Sequence, residues 1–329
     1  MKILTTAAIV VFMILNSCSS APEFNPKVND VNGRGNHNNN EVSIITYNVQ
    51  TILGKGEDKI LGLSNYLDQE LYDFVLLQEV FDEKTRSHLL ENVNSRFYKS
   101  KIPRIDYSSF PSNICQDAGL FSISRFPKVD LSHIDFDENT DVTSGAVHQM
   151  LIKELSISMD IFSNKSVLGT LYQIDDSTKL FLFTTHLQAI SSRRHRTNQL
   201  KQIYAFIENA VTTILKNNLI NDPKDLIVIL TGDFNYDAYD ESDVETIQKY
   251  LGAPRDLYGE FNTDLKEYSI INNMFRIYKR FDYIFAYDRI GQIPLKNITV
   301  NSINITDVKD KNGSSISDHL ALKAVLKVD

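Results

Sequence analysis

The stretch Leu226-Ile227-Val228-Ile229-Leu230-Thr231-Gly232-Asp233-Phe234-Asn235 sets an unbroken aliphatic run directly before a polar turn. A strand that is apolar at successive positions is covered on both faces. Leu226 to Leu230 therefore belongs inside a layered α/β fold, with helices on one side and a second sheet on the other. Five more segments share the arrangement: Ile45-Thr46-Tyr47-Asn48, Leu76-Leu77-Gln78-Glu79, Phe183-Thr184-Thr185-His186, Arg280-Phe281-Asp282-Tyr283-Ile284-Phe285 and Ser317-Asp318-His319. One polar residue at a strand end means little, but six such segments suggest an active site where several strands terminate. The polar set is Asn, Glu, Asp and His, with no thiolate. Oxygen donors of this kind suit a hard divalent cation such as magnesium, and the histidines are left for proton transfer.

Outward from this stretch, strand-like and helix-like patterns alternate from Glu41 onward. Val42–Val49, Phe74–Val80, Gly119–Ser124, Val167–Ile174, Lys179–Leu187, Phe281–Tyr287, Ile298–Ile305 and Leu320–Val328 read as strands. Asp58–Leu71 and Glu83–Val93 read as helices. A longer helix carries Leu200, Ile203, Ile207, Val211 and Ile214 on one stripe, with Ser191 or Ser192 as its N-cap.

Of the 329 residues, 42% are hydrophobic and 23% charged, as in an ordinary globular protein. The balance of 34 Lys+Arg against 42 Asp+Glu leaves a net charge of −8, so no stable nucleic-acid partner is expected. Lys2 precedes an apolar run from Ile3 to Leu15, too short for an ordinary membrane span. The run ends in Leu15-Asn16-Ser17-Cys18, which resembles the lipobox of bacterial lipoproteins, whose cysteine is acylated and becomes the first mature residue. That resemblance implies a signal peptide over residues 1–17 and an exported protein, anchored to a membrane at the cell surface or the periplasmic face. A plain signal peptide cleaved after Ala21 is the alternative, and it also exports the chain. Residues 18–40, rich in Asn, Pro, Gly and Ser, read as a flexible tether to a folded domain over 41–329. With Cys18 lipidated or removed, Cys115 stands alone and no intrachain disulfide is available.

Asn48 after a strand, Gln78-Glu79, Gly232-Asp233-Phe234-Asn235 and the terminal Ser317-Asp318-His319 resemble the endonuclease/exonuclease/phosphatase superfamily, motif by motif and in order. The resemblance spans residues 41–329 and implies a four-layer α/β sandwich of the DNase I-like kind, with two packed central β-sheets flanked by helices. Gln78-Glu79-Val80-Phe81-Asp82, Asp117-Ala118-Gly119-Leu120 and Thr185-His186-Leu187-Gln188-Ala189 further resemble the bacterial and neutral sphingomyelinases. Asn164-Lys165-Ser166-Val167-Leu168 is a looser match to the same family.

By that resemblance, Glu79 is the principal metal ligand, with Asn48 and Asp318 beside it, for magnesium or for manganese or cobalt as substitutes. His319 is the general base and Asp282 orients it, while His186 donates to a phosphoryl oxygen or protonates the leaving alcohol. Asp233 and Asn235 position the attacking water and bind a phosphoryl oxygen; two apart, they would share one face of an extended segment. Gln50 departs from the superfamily's nucleases, which often place Asp there. Asp117 either pairs with His186 or sits in a turn. Arg193-Arg194-His195-Arg196 opens the long helix where positive charge is unfavourable, so a compensating anion is expected, either a phospholipid headgroup or a surface carboxylate. The implied enzyme is a monomeric metal-dependent phosphodiesterase that cleaves sphingomyelin, or a related phospholipid in a membrane, to ceramide and phosphocholine. A nuclease, a phosphoinositide phosphatase and a non-catalytic surface-binding lipoprotein are the alternatives.

Overall fold

The structure is a computed structural model that describes residues 40–50, 57–93, 96–106, 116–153, 163–189, 191–272 and 277–328. The expected signal peptide, the tether apart from Asn40, and Cys115 lie outside the described residues. The first half of the domain holds β1 (Glu41–Asn48), α1 (Glu57–Glu70), β2 (Phe74–Gln78), α2 (Glu83–Asn92), β3 (Ser100–Ile102) and β4 (Phe121–Ser124). Next come β5 (Asp141–Thr143), β6 (Ala146–Met150), β7 (Ser166–Gln173), β8 (Lys179–His186), α3 (Arg193–Lys216) and β9 (Leu226–Asp233). Then follow α4 (Glu241–Tyr250), β10 (Arg255–Asp256), β11 (Ile270–Asn272), β12 (Ile277–Lys279), β13 (Asp282–Tyr287), β14 (Ile298–Thr306) and β15 (Ala321–Val328).

Two large mixed sheets result, one in the order β14-β15-β1-β2-β4-β3 and the other β10-β13-β9-β8-β7-β6-β5. Leu63, Leu67 and Leu89 of α1 and α2 cover the outer face of the first sheet through Ile45, Tyr47, Val75 and Leu77. The α3 stripe of Leu200, Ile203, Ile207, Val211 and Ile214 covers the outer face of the second, against Val167, Phe181, Phe183 and Val228. Between the sheets Ile44, Phe74 and Leu76 meet Leu180, Leu182, Ile227, Ile229 and Ile284. This is the expected four-layer sandwich.

The alternation of a strand's side chains turns these layers into a device for placing polar groups. The inward rows run Ile44-Thr46-Asn48, Phe74-Leu76-Gln78, Leu182-Thr184-His186 and Ile229-Thr231-Asp233, apolar at the bottom and polar at the top. Gln78 Nε2 donates to Thr46 Oγ1 at 3.0 Å and to Thr184 Oγ1 at 3.1 Å, so a buried amide joins both sheets just below the strand ends. Leaving such a group unsatisfied costs about 1–3 kcal/mol, which ties the register of the two sheets to this contact. Strand β9 runs three residues beyond the Leu230 end expected from apolarity. Its ladder continues on both sides, with His186 opposite Asp233 in β8 and Asp282 opposite Asp233 in β13. Strands β3, β5, β6 and β10–β12 escape the sequence pattern because each has five residues or fewer and, unlike the equally short β2, none carries a continuous apolar run.

Candidate active site

The ladder sets His186, Asp233 and Asp282 in one row across three strands of the second sheet, all buried and all facing the first sheet. Gly232 makes the close approach possible. Its φ is +132°, and a Cβ there would lie 1.9 Å from the Thr185 carbonyl oxygen, so only glycine fits. Opposite the row, Asn48 ends β1, and its amide nitrogen donates to Asp233 Oδ2 at 3.0 Å and to Glu79 Oε1 at 3.3 Å. Glu79 follows the inward-facing Gln78, so plain alternation would turn it away from the pocket. It sits instead at φ +59°, and this left-handed turn brings its carboxylate back between the sheets. A non-glycine residue held in that region marks a place the surrounding structure over-determines.

The two histidines approach the same atom from different sides. His186 Nε2 lies 3.6 Å from Asp233 Oδ2 and 3.7 Å from Glu79 Oε1. His319 Nε2 also lies 3.6 Å from Asp233 Oδ2, while its Nδ1 is 2.8 Å from Asp282 Oδ2. Burial works against a charged His319, yet the carboxylates of Asp282, Asp233 and Asp318 outweigh it and hold its pKa up to about 10. Burial drives the Asp233 carboxyl above the usual range and Asp282 adds to the rise, against the opposing pull of His319, Asn48 and the Asn235 amide. Asp318 faces the mouth of the site, where Gln50 Nε2 donates to its Oδ2 at 3.0 Å.

A family model for endonuclease/exonuclease/phosphatase family 2 matches residues 45–286. The chain belongs to the endonuclease/exonuclease/phosphatase family. Sphingomyelinase C from Streptomyces griseocarneus is similar in fold, with a TM-score of 0.58 at 19% identity over 87% of this chain and 99% of that one. A beta toxin variant from Staphylococcus aureus with bound magnesium ions gives 0.56 at 20% identity, covering 86% of this chain and 99% of the other. D. rerio TDP2 complexed with single-strand DNA product gives 0.57 at 19% identity, over 87% and 98%. No curated protein matches the chain by sequence.

The residues of this family member suit a divalent metal. Glu79, Asn48, Asp233 and Asp318 offer hard oxygen donors at one strand-end pocket, and burial, which raises the Asp233 carboxyl, removes the hydration that a bound cation would replace. Among the described residues, Asp233, Asp282 and His319 also place ligand atoms within 4.8 Å of one another. Since His319 and Asp282 bond each other, Glu79 and Asn48 are the better metal corner.

One expectation needs correction. Asn235 does not share an extended face with Asp233. The backbone turns at Asn235 (φ +52°), the Asn235 amide donates to Asp233 Oδ1 at 3.0 Å, and Asn235 Nδ2 is bonded to the Leu187 carbonyl. Asn235 thus shapes the turn that presents Asp233. Of the two alternatives for Asp117 the turn holds: its Oδ1 accepts from Gly119 N at 2.7 Å, and the carboxylate pairs with Arg86 at 3.0 Å and Arg104 at 2.9 Å. Arg193 meets the surface carboxylate of Asp243 at 2.7 Å, and Ser192 caps α3. Lys165, which the sequence presents only inside the Asn164–Leu168 motif, is fully buried and brings Nζ within 3.5 Å of His186 Nδ1. Its signal was a lysine immediately before an apolar strand, where a charge is otherwise out of place.

Proposed function

We propose that this chain is a metal-dependent phosphodiesterase acting on sphingomyelin or a related phospholipid. The observation that carries the reading is the pair of buried histidines whose Nε2 atoms both stand 3.6 Å from Asp233 Oδ2, beside Glu79. Two proton carriers on either side of one carboxylate fit an in-line displacement, in which one side activates water and the other receives the leaving oxygen. His319 takes the water's proton at Nε2 while Asp282 fixes the tautomer through Nδ1. Lys165 at Nδ1 of His186 keeps that ring's proton on Nε2, aimed into the pocket as a donor to a phosphoryl or leaving oxygen. Glu79, with Asn48 and Asp318, would hold a divalent cation, which would supply positive charge to offset the negative charge developing on the phosphoryl oxygens and would weaken the pull of the carboxylates on the His319 proton.

The phospholipid substrate is supported by the Thr185-His186-Leu187-Gln188-Ala189 segment and by the sphingomyelinase relatives. A second reading, cleavage of a nucleic-acid phosphodiester, has its own support besides the DNA-bound TDP2 relative. At the rim, Tyr239, Tyr268 and Tyr278 stand in a row with centroids 5.8 Å apart, and Lys266 and Lys279 lie over the Tyr239 and Phe281 rings. Rings interleaved with lysines suit stacked bases and their phosphates. Residues 19–329 should be assayed on sphingomyelin, phosphatidylcholine, phosphoinositide and plasmid DNA, with and without magnesium. Phosphocholine release from sphingomyelin faster than DNA nicking is expected; nicking without phosphocholine would transfer the function to the second reading. Export as a Cys18-acylated, monomeric lipoprotein is part of the proposal, and mass spectrometry of the mature N-terminus checks the acylation. Among the described residues, no helix is long and apolar enough to cross a membrane.

A further inference from the structure

Asp282 and His319 are 37 residues apart, and their 2.8 Å contact needs two chain segments held in fixed relation. Asp282 opens β13, whereas His319 lies in an irregular stretch before β15 and forms an isolated bridge to Ile270. Between them sits Ser269, fully buried just before the β11–β12 hairpin. Its hydroxyl oxygen accepts from Phe281 N at 2.9 Å and from Asp282 N at 3.1 Å. Its backbone carbonyl accepts from Leu320 N at 2.6 Å, and its own amide donates to the Lys279 carbonyl at 2.9 Å. One residue thus holds the main chain at Asp282 and the main chain next to His319. Its neighbour Tyr268 belongs to the aromatic row at the rim, and Ile271 N reaches the Asp318 carbonyl at 3.4 Å.

We propose that Ser269 is a positioning residue for the His319–Asp282 pair, the node through which the rim hairpin fixes the geometry of the general base. The proposal rests on His319 being the base. A hydroxyl has two acceptor sites, and here both are filled by adjacent amides. Replacing it with alanine leaves those amides buried without an acceptor, and the Asp282 main chain is free to shift. Displacement of a proton-transfer group by about 1 Å can cost as much as a hundredfold in rate.

The test is a double-mutant cycle on full-length protein with magnesium and bis(p-nitrophenyl) phosphate, a substrate without a lipid or base to recognise. Ser269→Ala should lower kcat roughly ten- to a hundredfold with KM within about twofold. In a His319→Ala background the same substitution should cost less than about twofold. An unchanged kcat in Ser269→Ala, or an equal loss in both backgrounds, would overturn the proposal. A fully active His319→Ala variant would instead remove the underlying reading of the site. Should Ser269→Ala melt below the assay temperature, Ser269→Thr, which keeps the acceptor, is compared with Ser269→Cys, whose sulfur accepts weakly. A higher kcat for the threonine variant is expected, and a cysteine variant that equals or exceeds it overturns the proposal.

Discussion

The His186 corner and the His319 corner of the pocket share one carboxylate but are built on opposite plans. His186 ends a regular strand in the middle of a sheet, with a buried lysine at Nδ1 and the Asp233 and Glu79 carboxylates 3.6 and 3.7 Å from Nε2. His319 sits in an irregular segment at the end of the chain, with a dedicated carboxylate 2.8 Å from Nδ1. A cation at Nδ1 favours a neutral ring that keeps its proton on Nε2, whereas a carboxylate there favours a ring that accepts a second proton. On the proposed reading, similar side chains at equal distance from Asp233 take donor and acceptor roles, set by what stands behind them.

The largest effect should come from the acceptor corner. His319→Ala or Asp282→Ala should each lower turnover by roughly 10²–10⁴-fold, the range of a general base. Because they act as one unit, the double variant should be little worse than the worse single one. Multiplied losses in single-turnover assays would show that the pair does not work together.

At the donor corner the expected losses are smaller. Loss of the His186 donor in His186→Ala should cost about 10²–10³-fold. Lys165→Met, which removes only the cation behind the ring, should cost about tenfold, the equivalent of one charge-assisted contact. Combined with Asp282→Ala, either change should multiply rather than saturate, since the corners act on different oxygens. A saturating combination would merge the two corners into one.

Stability in metal-free protein offers a check of a different kind. The pKa of His319 is raised in the folded state to about 10, so the folded form binds the proton more tightly than the unfolded chain. The resulting stabilisation is fully present below the unfolded value of about 6.5 and is lost as pH rises through the folded value. In EDTA, the melting-temperature difference between wild type and His319→Gln should therefore be larger at pH 6 than at pH 10. A difference that grows with pH would contradict the carboxylate-backed histidine.

The sequence made most of this comparison legible because the main strands are long and apolar and the site lies where they stop. Asn48, Glu79, His186 and Asp233 stand out as polar residues at strand ends and Asp282 as one at a strand's start, while their roles come from the family resemblance. What escaped depends on local backbone or on burial. The left-handed turn at Asn235 took that side chain off the face it would have shared with Asp233. The turn at Glu79 does the reverse, rescuing a residue that alternation would have pointed away. Lys165 and Ser269 are ordinary residues by composition. Their importance follows from full burial beside the pocket, which no periodicity over so few residues discloses.

The central claim, a metal-dependent phosphodiesterase with its metal at the Glu79 corner, is tested most directly by phosphodiester cleavage through EDTA treatment and magnesium addition, in wild type and Glu79→Ala. Wild-type activity should vanish in EDTA and return with magnesium, while folded Glu79→Ala stays inactive at every magnesium concentration. Full turnover in EDTA, or a Glu79→Ala variant as active as wild type, would contradict it.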